Sequence, residues 1–227
     1  EGNLFYVMKE IEGTPWNDCI GEKTLSENLE VLLRMGDAMA YAHARDYLHR
    51  DLKPENIMIG DFGEVLVMDW GLAVSVREPG TWNLAGTPAY MAPEMASYPV
   101  DNLGFHSDIY LMGAILFEIL TGSSAHAGTD VMDCVRNASA NLIIETEIDN
   151  ELMDIARIAM ATDPQDRYAS IQEFQEAVRD YQTHAESVAM SDRAAEQLAL
   201  AQENDNYESY AQARFGFREA ETIWSDN

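Results

Sequence analysis

The sequence has 227 residues, 47% of them hydrophobic and 9% aromatic, which is enough apolar material for a packed core and too much for disorder by composition. Lys and Arg number 14 against 40 Asp and Glu, so the formal charge is −26. A field of that sign repels phosphate backbones and anionic lipid, so nucleic-acid and membrane-surface binding are not expected. Cys19 and Cys134 lie far apart without metal-ligand spacing, which argues against a disulfide framework and for a reducing, cytoplasmic setting. The longest apolar stretch, 109–120, is interrupted by Gly113 and Glu118 and is shorter than the roughly 20 residues that span a bilayer.

In chain order, residues 4–8 are aromatic and β-branched and read as a strand. Gly13, Thr14 and Pro15 mark a loop. Thr24 and Ser26 are candidate N-caps for a helix over about 25–45, where Leu29, Leu32, Leu33, Met39, Ala40 and His43 recur at helical spacing. Residues 47–56 read as a loop. Apolar runs 57–59 and 65–68 flank Gly60-Asp61-Phe62-Gly63 and predict a β-hairpin. Residues 69–94 form a long aperiodic loop, a kind of segment that in compact domains usually carries function. A strongly apolar helix is expected over 108–121, with further helices over about 128–139, 149–162 and 170–184. From residue 185 the composition turns to Ala, Glu and Gln and predicts two helices with a break at 203–206. In the second, Tyr210, Ala213, Phe217, Ala220 and Trp224 step by three and four and form an apolar seam suited to a partner helix. The expected fold is mainly α with a small β-hairpin element and a helical tail.

The chemistry-bearing residues come in three ordered groups. Residues 49–56 read His-Arg-Asp-Leu-Lys-Pro-Glu-Asn. Asp69-Trp70-Gly71 follows, and then 86–94, Gly-Thr-Pro-Ala-Tyr-Met-Ala-Pro-Glu. Taken singly, Asp51, Asn56 or Asp69 would be read as a turn cap. In this order and spacing they resemble the bacterial eukaryotic-like (Hanks-type) Ser/Thr protein kinases, whose signature set runs H-R-D-L-x-x-x-N, D-F-G, A-P-E.

The resemblance implies ATP and Mg²⁺ as cofactors and protein Ser/Thr hydroxyls as acceptors. It implies Asp51 as the group that accepts the acceptor hydroxyl's proton, Lys53 as the cation beside the transferring phosphate, and Thr87 as the residue shaping the acceptor groove. Asn56 and Asp69 would hold Mg²⁺. Lys53 and Gly86-Thr87-Pro88 favour Ser/Thr over Tyr. Trp70 departs from the usual Phe while leaving the Asp intact. Asp61-Phe62-Gly63 spells the metal motif but lies only five residues after Asn56, so spacing selects Asp69.

The same resemblance makes His49 structural and Arg50 an anchor for a phosphate, with Thr81 or Ser75 as the candidate phosphosite. It pairs Glu94 with Arg167 and gives Asp108 the task of holding the backbone of the His-Arg-Asp loop. Met8 would be the gatekeeper, Lys9, Glu10 and Ile11 the hinge facing adenine, and Met58 the floor beneath it.

The resemblance covers about residues 3–182, which corresponds to the large lobe with hinge. The expected division is 1–13 as last small-lobe strand and hinge, 14–184 as large lobe, and 185–227 as helical tail. No Gly-rich phosphate loop and no strand lysine appear, so the chain reads as a fragment expected to transfer phosphate poorly alone. In the tail, Ala213 and Phe217 fit the A-x3-F pattern of a tetratricopeptide repeat; the other reading is a helix that packs back on the lobe or dimerises. The alternative function is a pseudokinase scaffold acting through that tail. A small-molecule phosphotransferase is disfavoured, because those lack the segment from Gly86-Thr87-Pro88 to Ala92-Pro93-Glu94.

Overall fold

The computed structural model describes residues 12–78, 82–97, 99–100, 102–204 and 207–224. The expected strand at 4–8, the hinge residues Met8, Lys9, Glu10 and Ile11, and Thr81 lie outside the described residues. The chain divides into two units, Glu1–Phe174 and Gln175–Asn227.

The first unit begins with β1 (Thr14–Pro15) and α1 (Trp16–Cys19), and then α2 (Leu25–His43). Helix α2 starts where it does because Thr24 and Glu27 close a capping box: the Glu27 amide donates to Thr24 Oγ1 and the Thr24 amide donates back to the Glu27 carboxylate. Its apolar face buries Leu29, Leu32, Met35 and Met39. Trp16, fully buried, donates its indole N–H to Asn28 Oδ1 at 2.9 Å, which locks the short α1 onto α2.

The hairpin forms as β3 (Ile57–Ile59) and β4 (Val65–Val67), with Ile57 opposite Val67 and Ile59 opposite Val65. Thr14 and Pro15 add a third strand to β3, so the sheet order is β1-β3-β4. A second, two-stranded sheet pairs β2 (Tyr47–Leu48) with β5 (Val74–Ser75). The sequence pattern assigns β1, β2 and β5 to loops. Their pairing is long-range and two residues deep, and leaves no periodicity to read.

Helix α3 (Pro93–Ala96) leads to α4 (Phe105–Thr121), which is buried along most of its length. Gly113 lets α4 meet α6 (Glu151–Ala159) closely, since a Cβ at Gly113 would fall 2.6 Å from that of Ala159. In sequence α5 (Val131–Ser139) comes between these two helices.

Helix α7 runs unbroken over Ile171–Asn204 where the sequence suggests two helices meeting near residue 185. Neither Gly nor Pro occurs between 171 and 204, so nothing in the backbone stops it. In the second unit α7 packs antiparallel to α8 (Tyr207–Ile223) through small residues. Ala194, Ala201, Ala213 and Ala220 are buried, and Ser187 Oγ donates to the Ala220 carbonyl at 2.8 Å.

Candidate active site

The loop after β2 carries the catalytic-type residues, and Asp108 near the start of α4 holds it. This carboxylate is fully buried. Its Oδ2 accepts from the His49 amide at 2.9 Å, its Oδ1 from the Arg50 amide at 2.9 Å, and His43 Nε2 lies 2.8 Å from Oδ2. A buried carboxylate is tolerable only when hydrogen-bonded in this way. The same two amide bonds stabilise Arg50 at φ 72°, a left-handed conformation unfavourable for a side chain with a Cβ.

His49 links the loop to the hairpin. Its Nδ1 accepts from the Asp51 amide at 3.3 Å, so its Nε2 carries the proton and donates to the Met68 carbonyl at 2.9 Å. Trp70 meets the His49 ring edge-on at 4.7 Å between centroids and donates its indole N–H to the Val67 carbonyl.

Around Asp51 the side chains converge. Thr87 Oγ1 donates to Asp51 Oδ1 at 2.7 Å, and Lys53 Nζ donates to the same hydroxyl at 2.8 Å while standing 3.7 Å from Asp51 Oδ2. Asn56 donates its amide to Asp51 Oδ2 at 3.1 Å and to the Asp51 carbonyl at 2.8 Å. With the Asn56 nitrogen so engaged, its oxygen points the other way. Gly86 allows Thr87 to approach: at φ 121° it is left-handed, and a Cβ there would fall 2.7 Å from the Arg50 carbonyl.

Asp69 follows β4, just past the rung in which the Met68 amide donates to the Asn56 carbonyl at 2.7 Å. Its backbone is left-handed at φ 55°, and its Oδ1 accepts from the Gly71 amide. Asp61, Phe62 and Gly63 form the exposed hairpin turn, away from this group. Met58 lies on β3 opposite Pro15 and Leu66.

Arg50 is 6% exposed and donates Nη2 to the Asn83 carbonyl at 2.7 Å, while its buried Nε has no hydrogen-bond partner among the described residues. Burial pushes this guanidinium below the usual arginine value, with Asp108 opposing. Ser75 lies in β5 and its hydroxyl accepts from the Arg77 amide.

The motif-based reading overlooked three groups: His43; the pair in which Tyr90 donates to Glu118 at 2.7 Å; and His126, buried among Tyr110, Met91 and Leu142. For Glu118 a signal existed, a carboxylate interrupting an apolar helix. Burial pushes this carboxyl above its usual value, the Tyr90 bond opposes that, and the nearby Glu55 charge adds to it.

A family model described as protein kinase domain matches residues 1–180. Serine/threonine-protein kinase PknD of Chlamydia abortus is 30% identical over 203 residues, covering 74% of this chain and 21% of that protein. PknD of Protochlamydia amoebophila is 30% identical over 224 residues, covering 80% and 22%. A protein of Lactococcus lactis named probable serine/threonine-protein kinase PknB is 28% identical over 216 residues, covering 90% and 33%. The chain thus spans from about a fifth to a third of the length of these curated relatives. With more than half of its length matched, the chain belongs to the protein kinase family, in its bacterial Hanks-type serine/threonine branch.

Proposed function

We propose that this chain supplies the acceptor-side and metal-side machinery of a Ser/Thr protein kinase that transfers the γ-phosphoryl group of ATP to protein hydroxyls. The observation that carries the reading is the convergence of Lys53, Thr87 and Asn56 on one carboxylate, Asp51. Phosphoryl transfer needs positioning and charge stabilisation more than covalent help, and this group is built for both.

The donor set suits Mg²⁺. Asn56 offers an amide oxygen turned away from Asp51, and Asp69 a carboxylate with one oxygen steadied by Gly71. Among the described residues no cluster of three or more His, Cys, Asp or Glu side chains could enclose a metal. That fits an ion held by one or two protein oxygens, with water and phosphate completing its shell. When bound, Mg²⁺ neutralises charge on the nucleotide phosphates.

Asp51 would accept the hydrogen bond of the acceptor hydroxyl and then its proton, as the new O–P bond forms and the bond to the β-phosphate oxygen breaks, releasing ADP. Thr87, bonded to Asp51 Oδ1, orients that carboxylate and leaves Oδ2 toward Lys53. Lys53 would balance the transferring group's charge. The adenine side of the site is assigned to Met8, Lys9, Ile11 and Met58 on resemblance alone. The Arg50 Nε, which has no partner among the described residues, supports a role for Arg50 as an anchor for a phosphate on the segment that contains Thr81 and Asn83.

The test is Mg²⁺-dependent transfer from radiolabelled ATP to a basic protein by the full-length gene product, beside Asp51→Asn. Transfer should fall about 10²–10⁴-fold in the variant, the usual contribution of a positioned base. Equal label from both, or none from a folded wild type, would sink the reading and favour a scaffold.

A further inference from the structure

His126 lies in the turn after α4, 1% exposed, and takes no part in the machinery around Asp51. Its Nδ1 is 2.9 Å from the Leu142 carbonyl, and its Nε2 is 3.1 Å from the Met91 carbonyl and 2.9 Å from the Tyr110 hydroxyl. Carbonyl oxygens only accept, so both ring nitrogens must donate for both bonds to exist, and that requires the charged ring. The Tyr110 hydroxyl has one proton, and it lies 2.5 Å from Asn141 Oδ1. Asn141 cannot be turned around to resolve the conflict, because its Nδ2 is committed to the Met160 carbonyl and to Thr162 Oγ1.

The neutral ring must therefore rearrange its partners. Among the described residues Nδ1 meets only the Leu142 carbonyl, so it keeps its proton. Nε2 has the Tyr110 hydroxyl beside it, a group that can turn and donate, so Nε2 is the nitrogen that lets its proton go. In that state the Tyr110 proton leaves Asn141, and the Met91 carbonyl loses its ring donor.

We propose that His126 is a proton-operated latch. With both ring nitrogens protonated it ties the Met91 carbonyl to the Leu142 carbonyl and the Tyr110 hydroxyl points to Asn141; on loss of the Nε2 proton the hydroxyl swings to Nε2 and Met91 is released. The latch acts on the stretch that follows Thr87. The His126 amide donates to the Ala89 carbonyl at 3.0 Å in either state, so the ring changes only the second of two ties to residues 89–91.

The titratable and charged groups around the ring are few. From α4 comes Tyr110, pushed far up by burial and so protonated throughout. From α5 comes Cys134, also pushed up by burial, whose thiol donates to the His126 carbonyl. Beyond Tyr110 stand Arg167, 4.9 Å over its ring, and Glu94, ion-paired with that arginine. Burial keeps the Tyr110 hydroxyl and the Cys134 thiol protonated where an imidazole titrates, and the bonds from Arg167 keep the Glu94 carboxyl charged there. Burial lowers His126 itself, and the bonds to Leu142 and Met91 raise it by less, so the latch closes on the acid side of the ordinary value of about 6.5.

The test follows ring nitrogen-15 shifts of His126 and the Tyr110 Cζ shift against pH in the 227-residue chain. One transition should take His126 from doubly protonated to the Nδ1–H tautomer, and Tyr110 should move at the same pH. His126→Phe should abolish the Tyr110 transition. Asn141→Gly keeps the left-handed backbone and removes the acceptor used only in the charged state. Its midpoint should fall by roughly one pH unit, the equivalent of one hydrogen bond, whereas the lost Nδ2 bonds are common to both states. A Nε2–H tautomer at high pH, a Tyr110 signal indifferent to His126, or an unmoved midpoint in Asn141→Gly would overturn the proposal. The two wild-type outcomes decide it even if a variant fails to fold.

Discussion

Two carboxylates of the first unit, Asp108 and Glu94, are satisfied in opposite ways. Asp108, fully buried, is bonded to backbone amides of the loop that carries Asp51, and to His43. Glu94, at α3, is bonded to a cation: Arg167 Nη1 and Nη2 donate to its two oxygens at 2.7 and 2.9 Å, and Ser107 adds a third bond. The first arrangement shapes a loop, since amide donors impose a backbone path. The second joins segments 73 residues apart in sequence, and its geometry matters less than its charge balance. Losing Asp108 should therefore damage the site, and losing Arg167 should damage the fold.

The largest effect expected is that of Arg167→Ala. It would leave Glu94 charged with a side chain only 7% exposed, and destabilise the unit by about 3–5 kcal/mol in urea unfolding. A double change, Arg167→Met with Glu94→Leu, should recover much of that loss. A stability as poor as that of the single variant would mean that the pair acts through something other than charge balance. Next comes Asp108→Asn, which turns a donor toward amide donors and should cost about 2–3 kcal/mol. If the proposed activity holds, phosphotransfer by the full-length gene product carrying this change, compared at equal folded fraction, should fall further than with any Glu94 variant; parity between them would erase the distinction.

A smaller effect is expected with pH. Burial pushes Glu94 up, but the bonds and charge of Arg167 outweigh it and hold the carboxyl below its usual value. A carboxyl depressed in the folded state contributes stability that is fully present above its unfolded value, near 4.3, and is lost as pH falls through the folded value. Glu94→Gln should flatten the acid limb of the stability curve by at most about 1.4 kcal/mol per pH unit. An unchanged slope would show that Glu94 does not report on acid unfolding. The smallest effect is Thr24→Ala, a local loss of about 1 kcal/mol with no change in transfer at equal folded fraction, which serves as the baseline for a purely structural change.

Much of this was legible in the residue order. The periodicity of α2, the apolar run of α4, the hairpin around residues 60–63 and the ordered motifs all reside in local or near-local sequence, and the motifs point to the kinase family directly. The short strands β1, β2 and β5 were not legible, because each is two residues long and its partner lies far away along the chain. The continuity of α7 past residue 185 was obscured by a change in composition, which the helix tolerates. Nothing in the residue order marks His126, because its ring partners, Met91, Tyr110 and Leu142, all lie 16 or more residues away.

The sequence by itself determined the fold class, the family and the order of its signature motifs, because periodicity and motif spacing are properties of the chain alone. Only the tertiary structure decided that Lys53, Thr87 and Asn56 converge on Asp51. It also decided that Asp108 is reached by amides from a loop 58 and 59 residues earlier, and that both ring nitrogens of His126 face acceptors. These are facts about which donor meets which acceptor across long sequence separation. Burial makes each such meeting consequential, since a polar group removed from water must find its partner inside the protein.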